Sequence, residues 1–416
     1  MEPAPSASTH VRPTPSRTPL RLAVVGGRRG QAFGSTLARL TDLLELTAVC
    51  DRAEAVLSAW SEAFPQVTPY REFEDLLADD GVDAIFLATP LKQHAQQAIA
   101  AMRAGKHVLS EVVASHTMDE AWELVETVER TGRTYMLAEN YCFMRPNLLV
   151  RNLAANGVLG RLTYLEGAYL HDCRHLMHDP AGNLTWRAEL RTEESSVYYP
   201  THSLGPIAQW LRAANGPTDR LETVTGFTTA SAVLPEYFEQ TFGADHPGAQ
   251  AGTWRQGDSG TAVITSTSGA VLSVRVDAVS PRPHNMTHYA AQGTNGAYEA
   301  ARHDGEDPLL WIAGRSPERG EPGQHPERDW ESLWAWASEY EDPRWRDHLA
   351  DAEQAGHGGG DFFVLKEFAE AVRDQRPPEV DVYDAVTWSS MIALTAESVE
   401  RGNQPVAIPD FGRGRR

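Results

Sequence analysis

The segment LRLAVVGGRRGQAF, Leu20 to Phe33, constrains the chain more than any other. An apolar run, interrupted only by Arg21 and followed at once by a glycine turn, reads as a strand buried on both faces. A helical pattern, QAFGSTLARLTDL, comes straight after the glycines. A buried strand turning through glycine into a helix is the opening unit of a parallel sheet covered by helices. The pattern then repeats. Strand-like LELTAVCDR, VDAIFLATP, HVLSEVV and RTYMLAENY alternate with helical AEAVLSAWSEAF, FEDLLADD, HAQQAIAAMRAGK and MDEAWELVETVERTG. Residues 20–143 are therefore expected to form a doubly wound, Rossmann-type α/β domain.

After PNLLVRNLAANGVLGR the texture changes. LTYLEGAYL, TAVITSTS and AVLSVRVDAVS are strand-like runs separated by turn residues, and helices return at DFFVLKEFAEAVRDQ and DAVTWSSMIALTAESVERG. Residues 144–416 are expected to be an α+β domain around a large, mostly antiparallel sheet, which would hold the substrate. A polar stretch rich in Trp and Pro, about 303–355, reads as a surface excursion. Residues 1–19 are rich in Pro, Ser and Thr and lack an apolar core, so they read as a disordered tail and not a signal peptide. A net charge of −20 argues against nucleic acid and anionic membrane partners. Three cysteines cannot build a disulfide framework, which suits a cytoplasmic protein.

The glycine turn points to a dinucleotide. Gly27 and Gly30 fit the second and third places of the fingerprint, with Arg28 and Arg29 between them, while Val25 stands where a first glycine is usual. Asp51 lies 21 residues beyond Gly30 at the end of the second strand, placed to accept hydrogen bonds from a ribose. A carboxylate there repels a 2′-phosphate, so NAD is favoured over NADP, although Arg52 beside it leaves NADP open. A flavodoxin-like domain without nucleotide is the rival reading. Two further loops, Ala88 to His94 and Leu109 to Ser115, follow strands at the same sheet edge. Thr89, Leu91, His94, Glu111, Val112 and Asn140 are accordingly candidate cofactor contacts, with loop capping the lesser alternative for Glu111 and Asn140.

The chain from residue 20 onward resembles the oxidoreductases related to glucose–fructose oxidoreductase and inositol dehydrogenase. Those dehydrogenases carry Glu-Lys-Pro after the fifth strand, the lysine assisting proton removal. Here the triplet is Glu111-Val112-Val113, and valine cannot move a proton. GAYLHDCR, WRAEL, YYPTHSLGP, SPRPHN with QGTNGAYE, AGHGGGDFFV and IPDFGRGR, in that order, look like the NAD-dependent α-N-acetylgalactosaminidases of glycoside hydrolase family 109. That resemblance implies a glycosidase that keeps NAD bound and does not consume it. Hydride leaves sugar C3, the resulting ketone acidifies C2, elimination expels the C1 group, water adds back, and hydride returns. Paired carboxylates, usual for glycosidases, are not required.

By the same resemblance His202 exchanges the C3 hydroxyl proton and Tyr169 removes the C2 proton, while Arg187, Tyr199 and His284 hold the sugar. A histidine capping the next helix, a core tyrosine and a surface ion pair are the plain alternatives for His202, Tyr169 and Arg187. An unperturbed phenol, with a pKa of about 10, is a poor base at neutral pH and needs a cation or donors nearby. HDCRHLMHD, His171 to Asp179, invites a metal reading, but its spacing matches no zinc signature and no metal is expected. His357 is placed near the site rim, and Asp361 is either a helix cap or a catalytic group. His284 replaces a family tyrosine, and Leu91, Lys92 and Gln93 replace a tryptophan-containing loop. The alternative function is an NAD(P)-dependent sugar or cyclitol dehydrogenase that releases the ketone. Homo-oligomerisation through the exposed face of the large sheet is expected.

Overall fold

A computed structural model of the chain describes residues 18–250, 252–283, 285–303, 305–320, 325 and 327–412. Most of the expected N-terminal tail, and His284, lie outside these. Six strands open the fold: β1 Leu20–Val25, β2 Leu44–Cys50, β3 Thr68–Tyr70, β4 Ala84–Leu87, β5 His107–Ser110 and β6 Tyr135–Leu137. They form one parallel sheet in the order β3-β2-β1-β4-β5-β6, the doubly wound Rossmann arrangement. β4 and β6 are wholly buried and β1 nearly so, as continuous apolar runs require when helices cover both faces. The helix Met118–Thr131 shows how locally the covering helices are encoded. Thr117 and Glu120 form a reciprocal capping box at its start, and Gly132, at φ 63°, ends it.

Register decides where the chemistry sits. Val25 pairs with Cys50 and Leu87, Leu87 with Ser110, and Ser110 with Leu137. The next residues, Gly26, Asp51, Ala88, Glu111 and Ala138, therefore emerge along one carboxyl edge. The order reverses between β1 and β4, which opens a crevice there.

The second sheet has nine strands. β7 Leu162–Leu170, β8 Leu221–Thr228, β9 Ser259–Ser266, β10 Val271–Asp277, β11 Asn285–Gly293, β12 Gly296–Glu299 and β13 Leu309–Ile312 are its body. After a small hairpin, β14 Glu318–Arg319 and β15 Glu327–Arg328, come β16 Glu331–Ser332 and, near the end, β17 Val406–Ala407. The order is β16-β13-β12-β11-β7-β10-β9-β8-β17, antiparallel except for the β7–β10 pair. The helix Thr201–Asn215 lies on this sheet. At Gly167 of β7 a Cβ would stand 1.9 Å from the Ser203 carbonyl oxygen, so only glycine lets that helix approach. This contact sets the helix start beside the end of β7.

The 303–355 stretch is only partly a surface excursion. Trp330 is exposed, but Leu310, Ile312, Leu333, Trp336, Trp345 and Ala352 are buried in the main core, and Trp345 donates its indole N–H to the Phe143 carbonyl at 2.8 Å. The polar composition hid a few large apolar anchors. On the outer side of the second sheet Tyr164, Phe227 and Val263 stay exposed.

Candidate active site

His202 is the second residue of the helix Thr201–Asn215 and is 6% exposed. It does not cap that helix. Its Nδ1 faces Glu139 Oε1 at 2.7 Å, and Glu139 is fully buried just past β6. The same oxygen accepts the Tyr141 backbone N–H at 3.2 Å, so the carboxylate is fixed in place. The Tyr141 ring stacks on the imidazole, with centroids 4.0 Å apart and planes 13° from parallel. A carboxylate on Nδ1 and a ring against one face leave Nε2 as the nitrogen able to serve a substrate. It has no hydrogen-bond partner among the described residues.

Tyr169 is the penultimate residue of β7, its ring centroid 5.1 Å from His202 and 5.7 Å from Tyr199; Tyr199 in turn lies 5.2 Å from His202. Three expected site residues thus share one aromatic cluster, which the Gly167 contact assembles. Burial, reinforced by Cys173 and the neighbouring tyrosines, pushes the Tyr169 phenol well above its ordinary range. Burial, and next the Glu111 charge, does the same to Tyr199. Arg187, half-buried on the helix Trp186–Glu193, lies over the Trp186 ring at 4.2 Å. It has no carboxylate partner among the described residues, unlike a surface ion pair. Its charge acts on both Tyr199 and Cys173. Lys92 pairs with Glu193 of the same helix, which ties the Leu91–Gln93 turn to this side of the crevice.

The cofactor candidates line the carboxyl edge of the parallel sheet. Asp51 follows β2 and its Oδ1 accepts the Ala53 N–H at 2.9 Å. Arg29 meets Glu111, with Nε and Nη2 2.7 and 2.6 Å from Oε1, and its guanidinium rests 5.0 Å from the Phe33 ring. Arg28 is exposed, whereas Leu91 and Val112 are buried. The Thr89 hydroxyl donates to Gln97 at 2.6 Å.

Two of these residues act differently from the expectation. The turn glycine is Gly26, in the left-handed region at φ 88°, where a Cβ would lie 2.5 Å from the Ala88 carbonyl oxygen. Gly27 is turned into the protein, where a Cβ would meet Trp60 and Val56 at 2.8 Å; Gly30 meets Val24 at 2.4 Å, as helix packing requires. Val25 therefore costs the turn nothing. His94 is buried, and its two ring nitrogens face the Val113 and Thr89 carbonyls at 2.9 and 2.8 Å. Its one N–H donates to one of these carbonyls, so His94 links the loops after β4 and β5.

The residues present fit a dinucleotide. Only glycine can occupy the turn at residue 26, a carboxylate stands at the ribose position, and the buried Asn140 Oδ1 has no partner among the described residues. Gly26, Arg28, Arg29, Asp51, Glu111 and Asn140 would hold it. Sequence reasoning missed Glu139, Tyr141 and Gly26. The first two sit in LAENY, at the end of a strand whose neighbours were already assigned to the edge, and that adjacency was the available signal.

Two polar groups of HDCRHLMHD have plain structural partners. Asp172 forks to Arg174 with contacts of 2.8 and 2.7 Å, and His178 bonds the Tyr237 hydroxyl at 2.8 Å.

Comparison with known proteins gives the same picture. Residues 143–416 match the glycosyl hydrolase 109 C-terminal domain, and residues 20–139 match the NAD-binding Rossmann fold of the GFO_IDH_MocA oxidoreductase family. A glycosyl hydrolase family 109 protein of Stenotrophomonas maltophilia is 32% identical over 425 residues, covering 95% of this chain and 89% of that protein. One from Saccharopolyspora erythraea is 34% identical over 413 residues, covering 95% and 84%. Among solved structures, levoglucosan dehydrogenase in complex with NADH and levoglucosan superposes with a TM-score of 0.71 at 18% identity, covering 94% of this chain and 99% of that one. WlbA dehydrogenase from Bordetella pertussis with NADH and UDP-GlcNAcA gives 0.66 at 18%, covering 95% and 99%. At such identities these two speak for the fold alone. The chain belongs to glycosyl hydrolase family 109, as an NAD-dependent enzyme built on the oxidoreductase fold.

Proposed function

We propose that this enzyme hydrolyses N-acetylhexosaminides, α-N-acetylgalactosaminides first among them. The sequence of steps is oxidation at C3, elimination across C1–C2, addition of water, and reduction. The observation that carries this reading is the His202–Glu139 pair set 5.1 Å from the Tyr169 ring. One acid–base group and one phenol thus lie side by side, the first held by a carboxylate that follows β6 on the carboxyl edge of the parallel sheet.

NAD, when bound, supplies a hydride acceptor for sugar C3 and later gives the hydride back. His202 Nε2 accepts the C3 hydroxyl proton as the C–H bond breaks, and Glu139 stabilises the imidazolium that results. Tyr169, in its phenolate form, takes the C2 proton and becomes the phenol. The freed electron pair forms the C1–C2 double bond while the C1–O bond breaks towards the leaving group. Water then adds as hydroxyl to C1 and its other proton goes to the departing alkoxide; the Tyr169 phenol, exchanged with solvent, returns a proton to C2, and His202 gives its proton back to the C3 oxygen. Arg187 is placed to hold the sugar by hydroxyl or acetamido oxygens, its guanidinium fork suiting either.

The second reading, a dehydrogenase releasing the C3 ketone, draws on one observation. Burial raises the Tyr169 phenol, which weakens it as a base for the C2 proton and leaves His202 able to act alone. A nitrophenyl hexosaminide panel without added NAD separates the two. Sustained nitrophenol release with no net NADH supports the hydrolase; NADH formed in step with sugar consumed, and dependence on added NAD, supports the dehydrogenase. The exposed Tyr164, Phe227 and Val263 face suits pairing with a second copy, and three buried free thiols suit a cytoplasmic setting.

A further inference from the structure

The glycine loop AGHGGGD, Ala355 to Asp361, is left unused by the mechanism above. It leads into the helix Gly360–Arg373, whose second residue, Asp361, is 1% exposed. Asp361 caps nothing: the N-cap of that helix is Gly359, and both carboxylate oxygens are spent elsewhere. Oδ1 accepts the Asn140 side-chain N–H at 2.7 Å, and Oδ2 faces His357 Nδ1 at 2.9 Å. At Gly360 a Cβ would lie 2.3 Å from the Asn140 carbonyl oxygen, so the helix start is pressed against residue 140. Asn140 comes from the carboxyl edge of the parallel sheet, while His357 and Asp361 come from the second half of the chain. With its N–H donated to Asp361, the Asn140 amide is fixed in orientation, and its buried Oδ1 is left without a partner among the described residues. A buried acceptor with no partner costs free energy unless a ligand supplies a donor. Arg29 and Glu111 both lie within electrostatic reach of His357.

We propose that Asp361 is a positioning residue for the cofactor. Held by His357, it fixes the Asn140 amide so that Oδ1 accepts a donor from the bound dinucleotide, and the glycine loop clamps the cofactor from the second domain. A ligand held from two domains leaves slowly, because release requires the loop to give way. The proposal rests on the reading of Asn140 as a cofactor contact.

The test compares NADH affinity, by fluorescence titration of protein stripped of dinucleotide, in the parent chain, Asp361→Asn and His357→Gln. Asp361→Asn keeps the shape, removes the charge, and allows the Asn140 amide to turn. Weakening of NADH binding by about tenfold or more is expected, on the scale of one hydrogen bond to a charged group. His357→Gln, which leaves Asp361 in place, should weaken binding by a smaller factor. At saturating NAD, kcat in both variants should stay within about threefold of the parent, a split that general damage to the fold would not give. NADH affinity within twofold of the parent in a folded Asp361→Asn protein overturns the proposal and leaves the functional reading standing. Absence of NADH binding by the parent chain overturns both.

Discussion

Replacing Glu139 by glutamine isolates one term of the mechanism. The carboxylate is fully buried, and Oε1 stands 2.7 Å from His202 Nδ1 while also accepting the Tyr141 N–H. A glutamine carbonyl can take over both bonds, so the imidazole keeps its place and only the negative charge is lost. That charge matters when His202 carries the C3 hydroxyl proton. Two unit charges about 4 Å apart attract by about 4 kcal/mol at the effective dielectric of a protein site, an upper figure before the carboxylate's own burial cost is set against it. Measured hydrogen bonds to charged groups contribute about 1.5–3 kcal/mol. At about 1.4 kcal/mol per factor of ten, the expected fall in kcat is between about tenfold and about 150-fold. KM should change by less than about threefold, since the carboxylate does not reach the sugar. The assay is nitrophenol release at saturating substrate, with NAD content measured on the same sample. A Glu139→Gln enzyme that retains more than half of the parent kcat, or fails only by losing NAD, would refute the reasoning.

Further outcomes follow from the same geometry. His202→Ala should abolish turnover and leave dinucleotide bound; near-normal activity would remove His202 from the mechanism. Tyr169→Phe should stop proton exchange at C2 while C3 oxidation, read as absorbance of bound NADH at 340 nm (about), still occurs. Because burial holds the Tyr169 phenol above its usual range, C2 exchange in the parent enzyme should rise with pH across neutrality; a flat profile would argue against a phenolate base. Gly26→Ala should abolish NADH binding, since the left-handed backbone costs about 1–2 kcal/mol and the new Cβ meets the Ala88 carbonyl, and a folded variant that binds normally would displace the turn from the site. His107 gives a stability test. Burial, aided by Arg133, lowers its pKa to about 4, and its Nδ1 accepts the Thr134 N–H at 3.0 Å, a bond that protonation there would break. The folded pKa lies below the unfolded value of about 6.5, so this stability is present above pH 6.5 (about) and lost as pH falls towards 4 (about). His107→Gln should flatten the loss over that window, as followed by urea titration.

Much of this is legible in the sequence. The parallel sheet announced itself because buried strands must be apolar throughout, and Asp51, Glu111 and Asn140 were placed on one edge by following each strand to its end. The miss of β3 has a simple cause: Thr68–Tyr70 is three residues long and largely exposed, so no apolar run marks it. Glu139 was invisible as a partner of His202 because 63 residues separate them, and the fold alone sets the helix against the residue-139 turn, where a Cβ at Gly205 would lie 3.1 Å from Glu139 Cγ. His94 is a candidate cofactor contact from its place on an edge loop; sequence cannot say that its ring would lie buried between the Val113 and Thr89 carbonyls. The acidic 303–355 stretch was misjudged because its average polarity concealed Leu333, Trp336 and Trp345, which do the anchoring.

The central claim is that electrons leave and return to one sugar carbon while the proton on its neighbour is exchanged with solvent. Hydrolysis of an α-N-acetylgalactosaminide in heavy water, followed by NMR of the released sugar, tests this position by position. Deuterium at C2 with protium kept at C3 is the predicted pattern. Protium at both carbons throughout hydrolysis would contradict the account.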